Sequence, residues 1–239
     1  MIILDNVSKG YRTAFGVKRI LSDVDCALST DLSLGILGRN GSGKSTLMRM
    51  LAGSELPDRG HIDRDVRVSF PVGHSVGFSN MMTGRENIAF LARVYGEDVR
   101  RIVAFVDDFA ELGDYLDEPL RTYSNGMRSR LAFSACMAIP FDIYLVDEVT
   151  AAGDVEFKRK CNQLFAERRR TARIIMASNN AKMLRLYCDR GAILEGGALL
   201  TFDTVEEAVT VYANEIYRTG VQGADAAEDR WAEREAELS

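Results

Sequence analysis

Histidine is almost missing from this chain: His61 and His74 are the only two in 239 residues. They are too few and too isolated for a metal site. Cysteine is scarce too. Cys26, Cys136, Cys161 and Cys188 are scattered, with no Cys-x-x-Cys pair. Buried, reduced thiols are therefore expected rather than a disulfide framework. Long hydrophobic runs are lacking as well. The longest, residues 133–146, is broken by Pro140 and Asp142 and cannot span a bilayer. Asp5 and Lys9 interrupt the N-terminal hydrophobes, so no signal peptide is visible and the protein is expected to stay in the cytosol. There is no excess of basic charge. A net charge of −5 argues against a nucleic-acid partner, which demands a basic face. No internal repeat or low-complexity linker is evident.

What is present is an ordinary globular composition, 46% hydrophobic and 27% charged, long enough for one large or two small domains. Its most informative stretch is Gly38-Arg39-Asn40-Gly41-Ser42-Gly43-Lys44-Ser45-Thr46, a full match to G-x-x-x-x-G-K-[ST]. Leu32, Leu34, Ile36 and Leu37 read as a short apolar strand entering this loop. Residues 46–52 read as a helix leaving it, stopped by Gly53. Glycines let successive backbone N–H groups curl around a phosphate, and the following helix N-terminus adds partial positive charge. Lys44 would reach the β- and γ-phosphates, and the Ser45 hydroxyl would bind Mg²⁺.

Upstream, residues 1–4 read as an edge strand followed by a turn at Asp5-Asn6. Tyr11 then serves equally well as a platform for a purine base or as a strand tyrosine packed on the sheet. Residues 20–37 read as strands leading to the phosphate loop. Pro57-Asp58-Arg59-Gly60 reads as a turn, and Val66-Arg67-Val68-Ser69-Phe70 alternates like a strand. From residue 79 to 139 the pattern turns helical. One amphipathic segment starts at Thr83 and runs to Val94, and a second covers residues 99–112 with Phe105 and Phe109 on its core side. Met81 and Met82 suit either an adaptable contact surface or core filling.

Tyr123-Ser124-Asn125-Gly126-Met127-Arg128 opens a further helix. This turn reads as a second anion-binding geometry or as a plain N-cap by Ser124. Residues 143–148 form an apolar strand ending in Asp147 and Glu148. Ligands bind at the carboxyl ends of strands in open α/β sheets. Asp147 there would help hold Mg²⁺, and Glu148 could polarise an attacking water. Residues 156–170 read as a charged helix, 172–178 as a buried strand, 191–202 as a hairpin about Gly196-Gly197 and 203–218 as a helix. Residues 219–239 read as an acidic tail carrying Trp231.

Phosphate loop, Ser-Asn-Gly-Met-Arg turn and Asp-Glu strand end stand in the order and spacing of an ATP-binding cassette subunit, which the chain resembles over roughly residues 1–215. Tyr123-Ser124-Asn125-Gly126-Met127 stands where that family has its Leu-Ser-Gly-Gly-Gln signature. Thr83-Gly84-Arg85-Glu86-Asn87 and Val146-Asp147-Glu148-Val149-Thr150-Ala151-Ala152-Gly153-Asp154 look like the branch serving bacterial capsular-polysaccharide exporters. Exporters of O-antigen and teichoic acid are its relatives. O-antigen relatives often carry an extra carbohydrate-binding domain, and this chain ends too early for one, which favours the capsule type.

The resemblance implies an α/β P-loop NTPase: a RecA-like core with an antiparallel β subdomain and an inserted α-helical subdomain. Residues 1–218 would form the ATP-binding domain, with the helical part at about 79–140. It implies ATP and Mg²⁺ as cofactors, and two copies closing head-to-tail over two ATP molecules. Tyr11 would stack on adenine, and residues 38–46 would hold phosphate. Ser124, Asn125 and Gly126 would reach the partner's γ-phosphate. Asp147 would order Mg²⁺, Glu148 would act as base, and Asp154 would lie in the loop linking the two sites. A separate polytopic permease would carry the polysaccharide, with this subunit peripheral on the cytoplasmic face of the inner membrane.

Two positions depart from the family pattern. Its glutamine before the helical region is replaced by Ser79 or Asn80, and its histidine after the last core strand by Asn179, in Ser178-Asn179. Asparagine can donate a hydrogen bond but carries no charge. Losing a donor at a developing charge lowers rates by roughly 10²–10³, of which Asn179 would recover part, so normal binding and slow hydrolysis are expected. His74 lies before the helical region and makes a poor substitute. A second function class is an ATP-gated assembly or regulatory module, against which the retained Glu148 speaks. A cassette acting on DNA or ribosomes is disfavoured, because this chain has neither a second cassette nor a long coiled-coil insertion.

Overall fold

The computed structural model describes residues 1–14, 16–72, 77–147 and 155–218. Two compact units divide the chain. The first holds residues 1–47, 57–63 and those from 175 onward; the second holds residues 48–56 and 64–174.

In the first unit, β1 (Ile2–Thr13) lies between β2 (Gly16–Leu28) and β4 (Arg59–Arg64) in the order β2-β1-β4. β1 is therefore central, not the edge strand expected from its first residues. Nor does it end in a turn at Asp5-Asn6. Asn6 takes a left-handed φ of 49° and the strand continues, with register shifts against β2 between Leu4 and Val7, Val7 and Lys9, and Lys9 and Gly10. Ile2, Leu4, Val7, Leu21, Val24 and Leu28 are buried, which gives this sheet its apolar face.

The other strands of this unit are β3 (Leu34–Leu37), residues 175–177 of β6 (Arg173–Ala177), β7 (Arg190–Glu195) and β8 (Ala198–Phe202). β3 pairs parallel with both β6 and β7, and β7 pairs antiparallel with β8. All four residues of β3 are buried, as a parallel strand covered on both faces requires. Gly196 and Gly197 turn the β7–β8 hairpin with φ of 58° and 88°, the positive pair a two-residue hairpin turn needs. Helix α6 (Ala181–Tyr187) is absent from the sequence reading. It is two turns long, and Asn180 Oδ1 caps it by accepting from the Met183 N–H at 3.2 Å. Helix α7 (Val205–Arg218) packs so closely on β7 that a Cβ on Gly191 would lie 2.3 Å from Ala208 Cβ.

Helix α1 (Lys44–Leu51) starts in the first unit and ends in the second. Within the second unit, Arg64 donates to the carbonyls of Met50 and, at 2.8 Å, Leu51, closing the last turn of α1. This unit also holds α2 (Gly84–Val94), α3 (Val99–Ala110), α4 (Asn125–Ala138), β5 (Ile143–Asp147) and α5 (Val155–Arg168). Residues 131–138 of α4 are all buried; a helix apolar on every side belongs inside a core. Within this unit, the Arg173 N–H donates to Asp142 O at 2.9 Å.

The alternation at residues 66–70 does not make a strand. Val68 forms only an isolated bridge to Ile143. Buried Ser69 interrupts the ladder: its Oγ, not a backbone carbonyl, accepts from the Leu145 N–H at 2.9 Å. Of the four free thiols, Cys136, Cys161 and Cys188 are buried as expected, whereas Cys26 is half-buried. Among the described residues, no helix is long and apolar enough to cross a membrane.

Candidate nucleotide-binding site

The phosphate loop leaves β3 at Gly38 and enters α1 at Lys44. Its glycines are there for space and backbone shape. A Cβ on Gly38 would lie 2.6 Å from Ser42 Oγ and 2.7 Å from Leu194 O. One on Gly43, whose φ is 111°, would lie 2.2 Å from Ile20 Cγ2. Gly41 also takes positive φ, 79°. The loop closes on itself by Ser42 N–H to Arg39 O at 3.0 Å, and the helix begins with Leu47 N–H to Gly43 O at 2.9 Å. The N–H groups just ahead of that bond lie outside the helical ladder, which makes the loop an anion cradle.

Lys44 Nζ is folded over the cradle, donating to Gly38 O at 2.5 Å and Arg39 O at 3.2 Å. Ser42 Oγ is buried without a hydrogen-bond partner. Ser45 is exposed, and Thr46 is buried with its Oγ1 3.3 Å from Tyr11 OH. Tyr11 is thus drawn to the start of α1. Asn179 is drawn to the loop as well: its Nδ2 donates to Asn40 Oδ1 at 3.4 Å. Tyr11, residues 38–46 and Asn179 therefore come together inside one unit.

Sequence reasoning missed Lys18 here. A Cβ on Gly41 would lie 3.4 Å from Lys18 Nζ. Lys18 and Ile20 alternate onto the same face of β2, and Lys18 stands opposite Tyr11 in the register. The alternation was there to be read, but not the pairing with β1.

In the second unit, Ser124 caps α4 by accepting from the Met127 N–H at 3.2 Å, so the cap reading holds. Gly126 differs from the phosphate-loop glycines: a Cβ there would meet only Ser124 Oγ, at 3.8 Å. Ser79 N–H donates to Asn87 Oδ1 at 2.7 Å, and the buried Asn87 returns hydrogen bonds to the carbonyls of Ser79, Met82 and Thr83. Asn80 Oδ1 accepts from Arg128 Nη1 at 2.7 Å, Asn80 O accepts from the Arg121 N–H at 3.0 Å, and Arg128 Nη2 donates to Leu120 O at 2.6 Å. Asn87 and Arg128 are further residues that sequence reasoning left unused, although both fall inside the quoted motifs. Beside them, burial pushes the Tyr123 hydroxyl up to about 12, and it donates to Tyr115 O at 2.5 Å.

Asp147 ends β5, half-buried. Glu148, Asp154 and His74 lie outside the described residues, as does the 219–239 tail. Burial pushes the Cys136 and Cys161 thiols up to about 12, so neither is a thiolate at neutral pH. Among the described residues, no group of three or more His, Cys, Asp or Glu side chains could hold a metal by itself. A cation here would share its ligands with a phosphate, as the Ser45 hydroxyl beside a phosphate cradle permits.

The family model described as ABC transporter matches residues 21–151. The polysialic acid transport ATP-binding protein KpsT of Escherichia coli is 42% identical over 215 residues, covering 89% of this chain and 96% of its own. The capsule polysaccharide export ATP-binding protein CtrD of Neisseria meningitidis serogroup B is 41% identical over 212 residues, covering 89% and 98%. The teichoic acids export ATP-binding protein TagH of Staphylococcus haemolyticus is 34% identical over 196 residues, covering 80% and 74%. Among solved structures, the ATP-binding cassette MJ0796, a dimer in a post-hydrolysis state bound to ADP and phosphate, matches with a TM-score of 0.67 at 21% identity, covering 83% of this chain and 96% of that one. That likeness establishes the fold as a P-loop nucleotide-binding cassette.

Proposed function

The chain belongs to the ABC transporter family, as an ATP-hydrolysing subunit, and from that premise we propose that it drives export of a capsular or related cell-surface polysaccharide. Two copies close head-to-tail over two ATP molecules and work a separate polytopic permease from the cytoplasmic face of the inner membrane. The names of the relatives support the polysaccharide, since KpsT is named for polysialic acid transport and CtrD for capsule polysaccharide export. The observation that carries the reading is the glycine cradle. Side chains at Gly38 and Gly43 are sterically shut out, Lys44 is folded over the loop, and Tyr11 and Asn179 converge on it.

In this reading Tyr11 stacks on adenine, and Gly38, Arg39, Asn40, Gly41, Ser42, Gly43 and Thr46 wrap the phosphates with their backbone. Lys44 leaves the loop carbonyls for the β- and γ-phosphates. The Ser45 hydroxyl and Asp147 would hold Mg²⁺, which neutralises phosphate charge when bound. Ser124, Asn125 and Gly126 face the γ-phosphate held by the other copy; the open space at Gly126 supports an approach from outside. Water attacks the γ-phosphorus, the bond to the bridging oxygen breaks, and Glu148 takes the proton. Asp154 links the two sites.

Glu148→Gln should leave ATP binding intact, reduce turnover by about 10³ and accumulate an ATP-bound dimer in size-exclusion chromatography. A variant that stays monomeric with saturating ATP would overturn the closing mechanism.

Hydrolysis is slow in this proposal. Asn179 is neutral and already donates to Asn40, so it offers a developing γ-phosphate charge less than an imidazolium would. Ser79 has a hydroxyl where the family has a longer glutamine amide, and that hydroxyl accepts from the Met81 N–H at 3.4 Å. Asn179→His should raise turnover about tenfold, and an unchanged or lower rate would show that this position does not limit it.

A further inference from the structure

Tyr11 is carried by β1 just past a break in its pairing. β1 and β2 lose register between Lys9 and Gly10. The extra residue of this irregularity is Ile20, on β2. On β1, the amide next to the break has a side-chain partner on the side away from β2. The Gly10 N–H donates to Asp58 Oδ2 at 2.8 Å, and Lys9 Nζ donates to Asp58 Oδ1 at 3.1 Å. Asp58 is itself fixed, its N–H donating to Ser8 O at 2.8 Å. The Lys9 ammonium then sits 5.6 Å from the centre of the Tyr11 ring, within cation–π reach. At the far end of the ring the hydroxyl meets Thr46 Oγ1 at 3.3 Å. Gly10 has little room to change: a Cβ there would lie 3.1 Å from Val17 Cγ1 and 3.3 Å from Lys18 O. One carboxylate, remote in sequence, thus grips the two residues that precede the aromatic ring.

We infer that Asp58 is a positioning residue for base recognition, holding Lys9 and Gly10 of β1, beside the register break, in the position that presents Tyr11 to the purine. The inference rests on the reading that Tyr11 stacks on the adenine of ATP. Asp58 acts only through Tyr11, so its influence belongs to the base and not to the phosphates. The Gly10 amide and then Lys9 hold its carboxyl below the ordinary aspartate value, which fits a carboxylate that works ionised. Its side chain is 52% exposed, so replacing it leaves no cavity in the core.

The test compares ATP with inorganic triphosphate, measuring affinity for the purified full chain and its Asp58→Ala, Asp58→Asn, Tyr11→Ala and Asp58→Ala/Tyr11→Ala variants. Tyr11→Ala should weaken ATP binding about tenfold and leave triphosphate binding unchanged. Asp58→Ala should weaken ATP binding about threefold to fivefold, spare triphosphate, and shift KM rather than kcat. Asp58→Asn keeps an acceptor for the Gly10 amide and should recover part of the loss. In the Tyr11→Ala background, Asp58→Ala should add nothing. If Asp58→Ala leaves ATP affinity unchanged while Tyr11→Ala weakens it, the inference is wrong and the base-stacking reading survives. The inference fails equally if Asp58→Ala weakens ATP and triphosphate alike, or still acts without Tyr11. If Tyr11→Ala itself has no effect, the stacking reading falls and takes the inference with it.

Discussion

Two helix N-termini in this protein look alike in sequence and differ in what surrounds them. α1 follows a turn of small residues with glycines in it, and α4 carries a glycine, Gly126, in its first turn after the Ser124 cap. At α1 the glycines are hemmed in by the protein's own atoms, with Ile20 Cγ2 2.2 Å from where a Gly43 Cβ would be and Ser42 Oγ 2.6 Å from that of Gly38. At α4 the space beside Gly126 is open to 3.8 Å. A glycine required by the fold and a glycine available to an outside ligand cannot be told apart by spelling. The atoms around the missing Cβ separate them.

The comparison breaks if the two sites respond alike to a methyl group. Gly43→Ala combines overpacking against Ile20 with a positive φ. It should destabilise the chain by about 3 kcal/mol and abolish ATP binding, read from denaturant unfolding and nucleotide titration. Gly126→Ala should do the opposite to the isolated chain. A helical glycine replaced by alanine where space is open stabilises by about 0.5 kcal/mol, whereas ATP-driven dimerisation should weaken at least about tenfold. An unfolding midpoint lowered by Gly126→Ala would show that the open space is filled. A smaller effect sharpens the contrast. Ser124→Ala removes the α4 cap and should lower stability by about 1 kcal/mol without changing ATP affinity in the monomer, because in the proposed dimer that turn serves the nucleotide held by the other copy.

The phosphate loop was legible because its chemistry is local: glycines, lysine and hydroxyls must follow one another to wrap one phosphate. The cap at Ser124 was legible for the same reason, being a bond between residues three apart. Features that depend on distant residues were not. β1 looked like an edge strand, since nothing near residues 1–4 announces that β4, more than fifty residues on, will pair with it. Ser69 looked like an ordinary outward position until its hydroxyl was found bonding Leu145, 76 residues away. Asp58 was read as part of a turn, and its grip on Gly10 spans 48 residues. Helix α6 was overlooked because seven residues carry too little periodicity to stand out, and its cap, Asn180, adjoins the Ser178-Asn179 pair that drew attention for another reason.

Arg128 has a mechanical consequence. One guanidinium fastens the Asn80 side chain and the Leu120 carbonyl to the opening turn of α4, and the Arg121 amide adds a second tie to Asn80. Met81 is exposed and follows Asn80 directly, so a partner that grips its side chain takes hold one residue from a side chain bonded to α4.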